Sequence, residues 1–173
     1  MRIKISFLCT TVLVVGWLDL WTKRWALANL SLGPMSEFMG GYIPLTLAFN
    51  KGAAFGISIG DDSRWLFVPL SILALGLLFH ILHLSEKKDY LRILACSSVI
   101  AGALGNLFDR VRWTRGVVDF IGPLDLGFML WPIFNVADMA ISCGAVLLAI
   151  SFWKEENDMA GNLSIEEGTD TVQ

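Results

Sequence analysis

Asp119 and Asp138 are the residues best placed by type and context to do chemistry. Asp119 lies in Val117-Val118-Asp119-Phe120 and Asp138 in Phe134-Asn135-Val136-Ala137-Asp138, each acid set among apolar residues. Two carboxyls brought close together cannot both ionise cheaply, so such a pair holds one shared proton near neutral pH. The ionised member can take a proton from water as it attacks an amide carbonyl. The protonated member can polarise that carbonyl and then help the amine depart. This chemistry needs neither a metal nor a covalent intermediate. His80 and His83 fall near the far end of a separate apolar run, and no Ser or Cys stands beside a plausible base, which argues against a Ser or Cys peptidase. Asp138 also has a structural reading, because it follows Asn135 by three, the spacing of an N-cap and an acid in the first helical turn. Asp119 has no such explanation.

Other polar residues sit where an apolar bundle does not need them. Asp19 and Lys23 stand at i and i+4 within an apolar stretch, so they share a helix face and can pair. An ionisable side chain inside a membrane span is costly unless it is paired or faces a polar cavity. The two residues are therefore either an isolated ion pair or the brace of a polar site. In Ala101-Gly102-Ala103-Leu104-Gly105-Asn106-Leu107-Phe108-Asp109-Arg110, small residues that permit close helix contact meet polar ones. Gly102, Asn106 and Arg110 recur at four-residue steps, which places the amide and the guanidinium on one face. Asp109 and Arg110 can equally be read as an anchor at the membrane interface.

The elements that must position these groups are membrane helices. Of the 173 residues 55% are hydrophobic and 17% charged, and the mean hydropathy is +0.62, above the level of ordinary soluble domains. A span takes roughly 20 apolar residues. Four apolar runs qualify, from Ile5 to Leu27, Trp65 to Leu84, Leu91 to Phe108 and Val136 to Trp153, and they make one domain over 1–156. The first run could be taken for a cleavable export signal, but its length and its Asp19 and Lys23 argue that it stays. Four spans put both termini on one side. The Glu86-Lys87-Lys88-Asp89 turn and the polar tail look cytoplasmic, although counting bases on the two sides does not decide the orientation.

Between the spans, the connections from Ala28 to Arg64 and from Asp109 to Asn135 are too long for turns. Pro44 precedes Leu45-Thr46-Leu47-Ala48-Phe49-Asn50, which alternates as a strand with one buried face does, and Asn50-Lys51-Gly52-Ala53-Ala54-Phe55-Gly56 reads as a turn and a second short strand. A small sheet on the membrane surface is expected. The net charge of −3 hides an acidic tail, because Lys154 to Gln173 holds one base and six acids. From Asn157 onward the chain has no periodicity and is expected to be a disordered cytoplasmic tail over 157–173. The bases form no stripe, so nucleic acid is not an expected partner. Cys9, Cys96 and Cys143 lie within apolar runs without metal or disulfide spacing and read as packing residues.

Taken together, Asp19 with Lys23, Asn50-x-Gly52-Ala53-Ala54-Phe55, Gly105-Asn106-x-x-Asp109-Arg110, Val118-Asp119-Phe120 and Phe134-Asn135-x-Ala137-Asp138 occur in one order, and over roughly residues 5 to 153 the chain resembles the lipoprotein signal peptidases, also called signal peptidase II. The resemblance implies an all-α membrane protein of four transmembrane helices with a small periplasmic sheet that cradles the substrate. It implies a catalytic pair at Asp119 and Asp138 near the outer surface of the bacterial cytoplasmic (inner) membrane, and both termini in the cytoplasm. Asn50, Gly52, Asn106, Arg110 and Asn135 become substrate-holding or dyad-supporting positions, with Asp19 and Lys23 as structural support. The implied substrate is a diacylglyceryl-modified prolipoprotein cut just before its lipidated cysteine. No cofactor is implied, and the cyclic peptide globomycin is the implied inhibitor. Residues 112–115 and the acidic tail carry no family information.

Two other functions fit parts of the sequence. A metal-dependent lipid transferase could use Asp19, Asp109, Asp119 and Asp138 to hold magnesium, yet such sites usually place several carboxylates at i, i+4 on one helix. A small proton-coupled transporter would carry its carboxylates near the bilayer midplane, whereas these lie toward one edge.

Overall fold

The computed structural model describes residues 2–33, 36–38, 43–52 and 64–170. Its helices are α1 (Arg2–Asn29), α2 (Arg64–Leu84), α3 (Tyr90–Arg112) and α4 (Val136–Asp170). All four are long and apolar enough to cross a membrane. Their outward faces carry the signature of lipid rather than water: Leu13 on α1 and Leu73 on α2 are each 71% exposed, and a soluble bundle would not leave whole apolar faces unpaired. Trp17 and Trp21 stack outward with ring centres 6.0 Å apart, as a lipid-facing stripe.

Helix α3 is the hub and packs against α1, α2 and α4. It can do so because its buried face is built from small residues, among them Ala95, Ser97, Ala101 and Gly102, which let neighbouring backbones approach. With Leu75 and Leu82 of α2, its Ile93, Cys96 and Ile100 form the bundle core. Cys96 thus packs as expected, while Cys9 and Cys143 face outward.

Strands β1 (Ser36–Phe38), β2 (Ile43–Asn50) and β3 (Val117–Ile121) form an antiparallel sheet in that spatial order, beside a short hairpin of β4 (Leu124–Asp125) and β5 (Leu130–Trp131). Leu45, Leu47, Val118 and Phe120 bury themselves with Ala26 near the end of α1, so the sheet is seated on that end of the bundle. The expected strand over 45–50 is present and begins earlier, at Ile43. Its burial does not alternate, however, since Leu45, Thr46 and Leu47 are all buried. The pairing with β3 shifts register between Leu45 and Ala48, and such an irregularity breaks the two-residue period. The second short strand expected over 53–56 lies outside the described residues.

Helix α4 continues to Asp170, past Asn157 where the sequence predicts disorder. Extending an existing helix avoids the cost of nucleating one, and Met159, Ala160 and Leu163 are tolerant of helix. Residues 154–161 are exposed, and an ion pair from Arg92 of α3 to Glu155 ties the start of this extension to the bundle.

Candidate active site

The start of α4 organises the site. Asn135 precedes the helix, and its Oδ1 accepts from the Asp138 N–H at 2.9 Å while the Asp138 Oδ2 accepts from the Asn135 N–H at 3.2 Å. This reciprocal pair is the capping-box arrangement, with Asn and Asp in place of Ser and Glu. The structural reading of Asp138 is therefore correct, and it also serves the site. Capping leaves the Asn135 amide nitrogen free to donate to Asp119 Oδ1 at 2.6 Å, with further contacts to Asn106 Oδ1 at 3.2 Å and the Val118 carbonyl at 3.3 Å. Asn135 thus holds both carboxyls, that of Asp119 through its side-chain nitrogen and that of Asp138 through its backbone N–H, while its side-chain oxygen caps the helix.

Asp119 reaches this point from β3, where it is buried and lies opposite Ala48 of β2. The Asn50 side chain also hydrogen-bonds to its carboxyl. Asn50 is set by a turn in which its Oδ1 accepts from the Gly52 N–H at 2.8 Å. Gly52 has φ 112°, a backbone region that a residue with a Cβ rarely enters. From α3, the Asn106 amide donates to Asp138 Oδ1 at 2.7 Å. The geometry therefore gathers Asp119, Asp138, Asn50, Asn106 and Asn135 into one network, with Gly52 one turn behind it.

A second polar cluster adjoins the first. Lys23 Nζ lies 2.7 Å from Asp19 Oδ2 and 2.9 Å from Asp109 Oδ2, all three side chains being buried. It also donates to Asn106 Oδ1 at 3.3 Å. Asp19 Oδ1 accepts from the Ala137 N–H at 3.0 Å, and Asp109 Oδ2 accepts from the Val118 N–H at 3.3 Å. Lys23 and its two acids thereby tie α1, α3, β3 and the first turn of α4 together around the site. A Cβ on Gly105 would stand 2.8 Å from Asp19 Oδ2, so that glycine makes room for the acid. Asp109 is the supporting residue that sequence reasoning passed over as an interface anchor. Its position three residues after Asn106, on the same helix face, was the available signal.

Arg110 is half-buried, with its guanidinium carbon 5.5 Å from the Phe67 ring centre and one nitrogen 3.5 Å from the Asn106 carbonyl. Among the described residues its Nε has no hydrogen-bond partner, and its charge is felt by Asp138 and Asp119. The fork is thus close to the acids with donor capacity to spare.

Electrostatics separate the two acids. Burial pushes the Asp119 carboxyl up from 3.8 to about 7, and the charge of Asp138 pushes in the same direction; the hydrogen bonds from Asn50 and Asn135 oppose both. Asp138 is only partly covered and accepts two N–H donors. Asp119 can therefore keep a proton near neutral pH beside the half-buried Asp138. Lys23 already fills the space between Asp19 and Asp109 where a divalent cation would have to sit. Among the described residues no group of three or more His, Cys, Asp or Glu converges in a way that could hold a metal ion.

Comparison with known proteins agrees in sequence and in fold. Residues 11–154 match the family model described as signal peptidase (SPase) II. The lipoprotein signal peptidase of Streptococcus pyogenes serotype M2 (strain MGAS10270) is 37% identical over 154 residues, covering 89% of this chain and 97% of the relative. The protein of the same description from serotype M5 (strain Manfredo) is 36% identical over the same length. A bacterial membrane enzyme solved by the in meso method at 2.3 Å resolution superposes with a TM-score of 0.79 at 30% identity, over 89% of this chain and 92% of the other. With a family model spanning most of its length and relatives above one-third identity, this multi-pass membrane protein belongs to the signal peptidase II family.

Proposed function

We propose that this chain is a membrane-embedded aspartic endopeptidase that releases the signal peptide of diacylglyceryl-modified prolipoproteins, cutting just before the lipidated cysteine. Family membership supports the protease class and the lipoprotein substrate. The observation that carries the aspartic mechanism is that one residue, Asn135, donates to both carboxyls, to Asp119 from its side-chain nitrogen and to Asp138 from its backbone N–H. In this reading Asp138 takes a proton from the attacking water molecule. Asp119, protonated, donates to the scissile carbonyl oxygen and then assists the amine as it leaves. Asn135, Asn106 and Asn50 hold the acids in register, with Gly52 fixing Asn50. Arg110 presents its fork to a backbone carbonyl of the substrate, and Asp19, Lys23 and Asp109 brace the floor.

The site's position follows from the substrate. A scissile bond tied to a lipid must be cut where protein in the bilayer meets water, and the dyad lies where α3 ends, α4 begins and the sheet sits. We place that end at the periplasmic face of the bacterial inner membrane, with both termini in the cytoplasm, and we place globomycin in the same site. The basic turn at Lys87 and Lys88 supports this orientation.

The test is to incubate the purified protein in detergent with a lipidated prolipoprotein, with and without EDTA, and to identify products by mass spectrometry. Release of a signal peptide ending just before the modified cysteine, unaffected by the chelator, is expected. Cleavage elsewhere, or activity lost in EDTA and restored by a divalent ion, contradicts the reading.

A further inference from the structure

At the end of the bundle away from the dyad, the start of α1 and the end of α2 enclose a cavity of about 800 Å³, within the size range of pockets that take small ligands, roughly 300–1,000 Å³. Its walls divide by chemistry. Ile5, Leu8, Phe79 and Leu82 line one part, and Lys4, Lys87 and Lys88 line another. Ile5 and Phe79 are 51% and 44% exposed on the outward faces of their helices, so the apolar part opens toward the acyl region of the bilayer. The basic part lies in the turn between α2 and α3, at the level of the headgroups.

Lys4 has a particular place in this arrangement. Its Nζ donates to the Leu82 carbonyl at 3.0 Å, the His83 carbonyl at 2.8 Å and the Ser85 carbonyl. These are the free carbonyls of the α2 C-terminus, whose partial negative charge would repel an anion. Lys4 neutralises that end and pins α1 to it. Lys87 and Lys88 are exposed, and among the described residues neither side chain has a hydrogen bond or ion pair. The acid that shares the cavity is Glu86. The next one along the turn, Asp89, is engaged by Arg92 at 3.2 Å. The lining therefore has more positive charge than negative beside an apolar trough that opens to lipid.

We propose that this cavity binds one anionic phospholipid, with an acyl chain laid along Ile5, Leu8 and Phe79 and the phosphate diester between Lys87 and Lys88. A phosphate alone would satisfy the lysines but leave the trough empty, and a zwitterionic lipid would fill the trough but carry its own cation to the lysines. Only an anionic lipid meets both halves.

The experiment is native mass spectrometry of the full-length protein released from detergent, titrated with phosphatidylglycerol, with phosphatidylcholine of the same chains, and with inorganic phosphate as competitor. One phosphatidylglycerol should be retained at least about tenfold more tightly than phosphatidylcholine, and millimolar phosphate should not displace it. Lys87→Ala with Lys88→Ala should weaken retention about thirtyfold, the scale expected of two juxtamembrane cations. Both residues are exposed, so folding is not at stake, and Lys87→Arg with Lys88→Arg should restore binding. Equal retention of the two lipids, undiminished binding in the alanine variant, or ready displacement by phosphate would each overturn the proposal.

Discussion

Two pairs of carboxylates lie side by side at one end of this bundle and are held by chemically different partners. Asp19 and Asp109 share a lysine, with Lys23 within 2.9 Å of both. The carboxyls of Asp119 and Asp138 accept hydrogen bonds from neutral amides, Asp119 from the Asn135 and Asn50 side chains and Asp138 from the Asn106 side chain and the Asn135 backbone N–H. A buried lysine supplies countercharge to both acids, and the first pair acts as a structural knot. Amides orient a carboxylate without neutralising it, so like charges remain close and a proton must be retained. Asn106 touches both systems, accepting from Lys23 and donating to Asp138, which fixes the reactive pair relative to the inert one. Two sets of identical side chains thus take different roles through the residue placed between them.

The comparison is tested most severely by substituting within each pair. Asp119→Asn and Asp138→Asn should each lower the cleavage rate by roughly 10⁴-fold, the upper range for general acid–base groups, while the proteins remain folded. If the acids act as one unit, the double variant should be scarcely slower than either single one. Multiplying effects would mean independent roles. In the other cluster, Lys23→Ala should act on stability: it leaves two acids buried without their countercharge, a loss on the order of 3–5 kcal/mol for a broken buried pair. A thermal melt in detergent that is unchanged would show that Lys23 does not hold the knot.

Smaller effects sharpen the boundary between the two systems. Arg110→Lys keeps the charge and removes the planar fork, and should slow cleavage about tenfold with little effect on melting. Wild-type rates would reduce Arg110 to a packing residue against Phe67. Removing residues 157–173 should change neither melting nor cleavage, since residues 157–161 are exposed and the ion pair from Arg92 to Glu155 lies before the cut. A truncated protein that folds yet fails to cleave would give the tail a role.

What was legible in the sequence follows the same division. The four spans were legible because a bilayer demands long apolar runs, and their helices start and stop within a few residues of those runs except at the end of α4. Asp119 and Asp138 stood out because an acid among apolar residues asks for a reason. Asp19 and Lys23 were found as a pair from their i, i+4 spacing, but the third member, Asp109, comes from another helix, and no local spacing reports a contact between helices. The sequence also posed a choice for Asp138 between capping a helix and doing chemistry. The two readings do not exclude each other: Asn135 caps with its oxygen and binds the other aspartate with its nitrogen, a division of labour visible only once β3 is laid beside α4.

The central claim is that Asp119 keeps a proton because it is buried next to Asp138, and titrating the carboxyls by isotope-edited infrared spectroscopy tests it directly. Asp119 is raised above its ordinary 3.8, so it is neutral below its folded value and ionises above it. Its burial therefore costs folding stability progressively as pH rises from about 3.8 to about 7. Over the same upper range the catalytic proton is lost, and cleavage should decline as pH passes about 7. The account predicts one carboxyl with a midpoint near 7 in the wild-type protein, moving to lower pH in Asp138→Asn, where the neighbouring charge is gone. A protein in which every buried carboxyl is already ionised at pH 6, or in which the Asp138→Asn substitution leaves that midpoint unmoved, would contradict it.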